Sequence, residues 1–182
     1  MLQIDVPSKE FYDEKTETFV QTKATTLILE HSLLSISKWE AKYHKPFLSY
    51  KKDDKRTSSE ILDYIKCMTL NKNVPEEVYM ALSSKNMIEI NDYINDPMTA
   101  TTVSQSPTSS GGIKIVTSEV IYYWMITFNI PFECEKWHIN RLMMLIKVCN
   151  ANNNPKKMSR NELLARNRHL NAARRKALGT KG

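Results

Sequence analysis

Glycine is scarce in this chain, 4 residues in 182, and two of them form the adjacent pair Gly111-Gly112. Neither GxxxxGKS/T nor GxGxxG spacing surrounds that pair, which excludes a glycine cradle for phosphate there. Cysteine is as sparse and odd in number. Cys67, Cys134 and Cys149 lie far apart in apolar runs, a pattern that suits reduced core thiols and not a disulfide framework. Also missing is any apolar run near the roughly 20 residues that a membrane-spanning helix needs. The two most apolar stretches are either short or carry Lys136, Arg141 and Lys147. The opening MLQIDVPSKEFYDEK is too polar and acidic for a signal peptide. Together these absences predict a soluble chain kept in the cytoplasm, with no membrane contact.

Catalytic groupings are missing too. Cys134 and His138 are four apart, a spacing that on a helix can hold two ligands of one zinc ion. Cys149 would lie about 22 Å further along the axis than Cys134, so it cannot complete the set, and no other ligand is signposted. No local motif joins Cys67 or Cys134 to His31, His44 or His138 as nucleophile and base. Asp53-Asp54 and Glu76-Glu77 are sequence neighbours, which do not face one another on a helix. The expectation is a chain that is not an enzyme and uses no cofactor or metal.

What the sequence does have is apolar helix. From Ser118 to Phe128, Val120, Ile121, Tyr122, Tyr123, Trp124, Met125, Ile126 and Phe128 spread around the whole helical wheel, which predicts burial on every side. In the next segment Lys136, Asn140 and Lys147 share one narrow strip, and Trp137, Leu142, Met143, Met144, Leu145, Ile146 and Val148 fill most of the rest. Joined by Ile130-Pro131-Phe132, the two predict a central buried helical hairpin of about 118–129 and 134–149.

The remaining segments predict a wrapping around that centre. Leu2, Ile4 and Val6 alternate with polar residues, and Thr16 to Leu29 is rich in Thr, Val and Ile, so the first 30 residues read as a small antiparallel β element. A break at Gln21-Thr22-Lys23 would turn 17–20 back against 25–29. Ser37 and Glu40 are spaced as a capping box for a helix ended by Pro46, with Trp39 and Tyr43 four apart on one face. Thr57 and Glu60 are spaced as a second box, opening an amphipathic helix over 58–70, followed by short helices near Pro75 and over 85–95. Thr99 to Gly112, with eight Ser or Thr, reads as an exposed loop, and Ile113 to Val116 as a brief strand. The fold class is therefore α+β and mostly helical. One globular domain is expected over 1–150, β-rich in 1–30 and mainly helical in 35–150.

Charge separates the remainder. Pro155 to Gly182 holds nine Lys or Arg against Glu162, a balance of +8, while the rest of the chain stands at −2. Residues 151–182 read as a basic helical extension, opened by a third capping box at Ser159 and Glu162 and ended near Leu178 before Gly179. Arg168 and Arg175, seven apart, share one face, and Leu163, Leu170 and Ala177 form a thin apolar seam on another. Expected partner-binding residues are Leu163, Arg166, Arg168, Leu170, Arg174 and Arg175, with Trp39. The occupant is either a partner helix meeting the seam and the arginines, or phosphates; the extension lacks the interleaved aromatics of single-strand binders.

Leu29-Glu30-His31-Ser32-Leu33, Ser35 to Glu40 (SISKWE), Asp96 to Thr101 (DPMTAT) and Arg166-Asn167 through Leu170 to Arg175 (LNAARR) resemble small proteins encoded among the tail genes of long-tailed, siphovirus-type bacteriophages. Among those the chain is most similar to the tail assembly chaperones, which bind the helical tape measure protein and keep it soluble until the tail tube polymerises around it. The resemblance implies a non-enzymatic viral protein acting through protein–protein interaction, without a cofactor, in the cytoplasm of the infected bacterium, and a homo-oligomer is compatible with it. The alternatives are a structural virion protein of the tail or head-tail connector, and a nucleic-acid-binding protein using the basic tail.

Overall fold

The structure is a computed structural model that describes residues 1–13, 17–49, 56–102, 115–153 and 160–179. It is α+β and mostly helical. Four strands come first: β1 (Leu2–Val6), β2 (Glu10–Asp13), β3 (Thr18–Gln21) and β4 (Thr25–Leu29). Seven α-helices follow among the described residues: α1 (Leu33–Tyr43), α2 (Ser58–Met68), α3 (Glu76–Met80), α4 (Ser84–Asn95), α5 (Ser118–Thr127), α6 (Ile139–Asn153) and α7 (Arg160–Leu178). A 3-10 turn, Phe132–Lys136, separates α5 from α6. The chain divides into two compact units, Met1–Val148 and Cys149–Gly182.

In the first unit, the expected return of 17–20 against 25–29 is corrected. β4 pairs antiparallel with β1, in the register Leu2↔Leu29, Ile4↔Leu27 and Val6↔Thr25, while β3 pairs with β2. Burial decides this: in that register Ile4, Val6, Leu27 and Leu29 all reach the core at 2% exposure or less, which pairing with β3 would forfeit because Phe19 is 70% exposed. Gln21-Thr22-Lys23 is thus the exit from a hairpin and not its turn. Thr22 clamps the hairpin base, its N–H donating to the Lys9 carbonyl at 2.9 Å and its Oγ1 accepting the Lys9 N–H at 2.9 Å. The outer edge of β4 is closed by Asn71, whose Oδ1 accepts the Ile28 N–H at 2.7 Å and whose Nδ2 donates to the Thr26 carbonyl at 3.1 Å.

Helix α1 holds the core together. Leu33 and Ile36 are 0% exposed and Trp39 is 1% exposed, and α1 packs against α2, α5 and the 3-10 turn. Its start lies at the Ser32 N-cap, with Ser35 returning the capping bond, so the Ser37–Glu40 box is corrected. The reason is that Glu40 is engaged elsewhere: its two carboxylate oxygens accept the Phe47 and Ser118 N–H groups, each at 2.7 Å. The box at Thr57 and Glu60 does form and opens α2. Trp39 and Tyr43 do stack, with ring centroids 4.8 Å apart.

Helices form within both apolar segments, but the second begins at Ile139 and not at 134, because Phe132–Lys136 after Pro131 takes a 3-10 turn, and the burial of both is one-sided. In α5, Ile121 and Met125 are 0% exposed whereas Tyr123 is 64% and Ile126 is 60% exposed. A short helix resting on α1 can hide only its i, i+4 ridge, however apolar its other faces are. In α6 the buried stripe is Ile139, Leu142 and Ile146. The expected strand at 113–116 is absent over its described part, and Val116 instead donates its N–H to Ser49 Oγ at 2.6 Å. Residues 113–114, most of the 99–112 loop, and Ser159 of the third capping box lie outside the described residues.

The second unit comprises the last turns of α6 and α7. Ala, Leu, Arg and Lys are strong helix formers, and α7 stops where Gly179 takes φ +64°, the left-handed conformation that suits glycine after a helix. Arg175 and Lys176 in the last turn complement the helix dipole.

Candidate functional site

Every described side chain of α7 is exposed, including Leu164 at 46%, Leu170 at 42% and Leu178 at 75%. Of the expected partner-binding residues, Arg166, Arg168, Leu170, Arg174 and Arg175 lie on this helix, and the Leu163 side chain lies outside those described. At 100° per residue they do not form one patch. Arg168 and Arg175 fall about 20° apart, whereas Arg174 lies roughly 100° from Arg175 and about 20° from Leu163, and Arg166 lies roughly 160° from Arg168, so Arg166 and Arg174 border the Leu163–Leu170 seam on either side. The helix therefore presents two surfaces, one rich in arginine and one thinly apolar. Arg175 Nε returns a bond to the Asn171 carbonyl at 3.4 Å.

Trp39 belongs elsewhere, and its place as a partner-binding residue is corrected. It is 1% exposed, its Nε1–H donates to the Glu60 carbonyl at 3.0 Å, and its ring meets Phe47 at 5.2 Å and the Arg56 guanidinium at 5.3 Å. Indole burial with a satisfied N–H makes it a core residue.

Sequence reasoning missed a buried polar cluster where the first unit's segments meet. His31 and His138, 2% and 6% exposed, stand edge to face with ring centroids 5.0 Å apart. The chain joins them as well, since the Ile139 N–H donates to the His31 carbonyl at 2.7 Å. His31 Nδ1 hydrogen-bonds the Tyr64 hydroxyl. His138 Nδ1 accepts the Asn140 N–H at 3.3 Å while Nε2 bonds the Tyr93 carbonyl at 3.0 Å, an arrangement that fits the neutral ring with its proton on Nε2. Beside them the Tyr93 hydroxyl donates to Glu30 Oε1 at 2.6 Å.

Burial, and then the neighbouring His138 and Arg56, hold the His31 pKa down at about 3. Burial also lowers that of His138. Both rings are thus neutral at neutral pH, and their ring nitrogens are occupied by structural bonds on the sides described. Burial raises the thiols of Cys67 and Cys134, which makes them poor nucleophiles at neutral pH. Among the described residues no group of three or more His, Cys, Asp or Glu is arranged to hold a metal. The one sequence signal for the cluster was Glu30-His31-Ser32, three polar residues interrupting an apolar run between β4 and α1.

An apolar groove of about 370 Å³ also opens beside α2 and α4, lined by Ile61, Ile65, Met87, Ile90 and Ile94 with Arg56 and two asparagines. No helix among the described residues is long and apolar enough to cross a membrane. No family model matches the chain, and neither a curated protein nor a solved structure matches it.

Proposed function

We propose that this chain is a non-enzymatic assembly factor of a long-tailed bacteriophage, a tail assembly chaperone that uses its basic terminal helix to hold a helical partner such as the tape measure protein. The observation that carries this reading is α7 itself: 19 residues of helix with every described side chain exposed. Most helical stability in proteins comes from packing of an apolar face and not from propensity, and a second helix laid along the Leu163–Leu170 seam would supply that packing while Arg166 and Arg174 flank it. The buried, neutral histidines and suppressed thiols favour a scaffold over a catalyst, and the resemblance to phage tail chaperones supplies the partner class.

The test is a pull-down from infected cells with the full chain and with a chain ending at Asn153. Retention of one long helical tail protein by the full chain alone supports the reading; equal retention by both refutes the role given to α7. Mass spectrometry of purified virions supplies the second arm. A chaperone is absent from finished particles, and stoichiometric presence would make the chain a structural component of the tail or connector.

A further inference from the structure

We infer that the arginine face of α7 binds the phosphodiester backbone of a nucleic acid, a site that adjoins the seam assigned to the protein partner and meets it at Arg174. On the helical wheel Arg174, Asn167, Arg160, Asn171, Arg175 and Arg168 fall in that order within a sector about 120° wide. Arg160 to Arg175 spans about 22 Å of axis. The seam of Leu163 and Leu170 begins next to this sector, its centre roughly 100° from the arginine centre, so one helix can present both surfaces.

Three observations favour phosphate. Arg160, Arg168, Arg174 and Arg175 are exposed and enter none of the ion pairs among the described residues. A cation row without acidic neighbours is the electrostatic footprint of a polyanion site. Asn167 and Asn171, which share the sector with the exposed Leu164 and Leu178, carry amides that donate and accept hydrogen bonds and match phosphate and sugar oxygens. The charge of +8 is also confined to residues 155–182, +5 of it on α7, while the rest of the chain is at −2, so attraction acts through this segment and not through the whole surface. Because the helix lacks aromatics to stack on bases, contact is with the backbone and sequence-independent.

The test is fluorescence anisotropy of the full chain with labelled 30-nucleotide single-stranded DNA, duplex DNA of the same length and single-stranded RNA, at 50 and 200 mM salt. Four phosphate contacts predict weakening of about 50-fold for single strands and about 150-fold for duplex between those salts. The three probes identify the preferred source. Replacing Arg160, Arg168, Arg174 and Arg175 by Gln, itself a good helix former, abolishes most of the salt dependence, whereas Arg166→Gln with Lys176→Gln, on other faces, leaves more than half of it. Circular dichroism confirms that both variants keep their helix. The inference is overturned if no probe binds at 50 mM salt, if the two variants lose salt dependence equally per charge removed, or if polyglutamate of matched charge competes as well as DNA, which would return the face to an acidic protein. Truncation at Asn153 removes both surfaces, so the pull-down is repeated with Arg160, Arg168 and Arg175 replaced by Gln in the full chain: retained capture of the tail protein with lost nucleic-acid binding separates the two readings.

Discussion

The Glu40 carboxylate accepts the Ser118 N–H at 2.7 Å, so a side chain near the end of α1 caps the first turn of α5. Its other oxygen holds the Phe47 N–H at 2.7 Å, and Glu40 is only 8% exposed. One buried carboxylate thus satisfies two amide groups that have no water to turn to, and places a negative charge at a helix N-terminus, where the dipole favours it. Glu40→Ala strands both donors, at about 1–3 kcal/mol each. Urea unfolding should show a total loss of about 2–5 kcal/mol, and a loss below about 0.5 kcal/mol would refute the bridge.

The buried histidines predict a stability that depends on pH. In the unfolded chain His31 titrates near its ordinary pKa of 6.5, but in the fold it does so only at about 3. Between those values the unfolded state binds a proton that the native state refuses, so stability is full above pH 6.5 and falls as the pH drops toward 3. From pH 7 to pH 5 the contribution of His31 alone is about 2 kcal/mol. Charged neighbours in this region are Arg56, Glu30, Asp96 and the Met1 amino group, and His138, itself depressed by burial, adds in the same direction. Urea midpoints measured at pH 7.5, 6 and 5 should fall, and His31→Gln should flatten the slope; an unchanged slope in that variant would remove His31 as the cause.

Helix α5 offers a direct contrast. Ile121→Ala or Met125→Ala removes a fully buried side chain and should cost about 2–5 kcal/mol. Tyr123→Ser and Ile126→Ser act on side chains that are more than half exposed, and each should stay within about 0.5–1 kcal/mol of the parent. Thermal unfolding of the four variants would show four similar losses if the helix were buried all round.

These comparisons show which parts of the fold local sequence could reveal. The Thr57–Glu60 box was legible because its partners are three residues apart and capping there is a local event. The Ser37–Glu40 box has the same spacing and failed because Glu40 serves the distant Phe47 and Ser118 amides. Apolar content gave the positions of α5 and α6 but not their burial, which depends on how many neighbours each one meets. For the site, the seven-residue spacing of Arg168 and Arg175 fixed their shared face at once. The meeting of His31 with His138 could not be foreseen, since it rests on tertiary contact between a strand–helix junction and the start of α6.

Trp39 separates stability from binding. Trp39→Phe keeps an aromatic ring against Tyr43 and Phe47 but abandons the Glu60 carbonyl, so a loss of about 1–3 kcal/mol is expected in urea. Because the indole is buried, partner capture by this variant should match that of the parent at temperatures where both are folded. A variant with parental stability and weakened capture would return Trp39 to the binding surface.

Removing α7 tests whether the first unit depends on it. None of the described α7 side chains is buried, so deleting residues 154–182 forfeits no described apolar burial from that helix. The core built on Leu33, Ile36, Trp39, Met68 and Leu142 is complete within Met1–Val148. A chain ending at Asn153 should therefore unfold in one transition, with a urea midpoint equal to that of the full chain within about 0.5 kcal/mol of stability. Its circular dichroism should lose roughly the helical signal of the 19 residues of α7. A drop of more than about 2 kcal/mol would mean that the basic helix contributes to the core, and arginines drawn into that role would not be available to a partner.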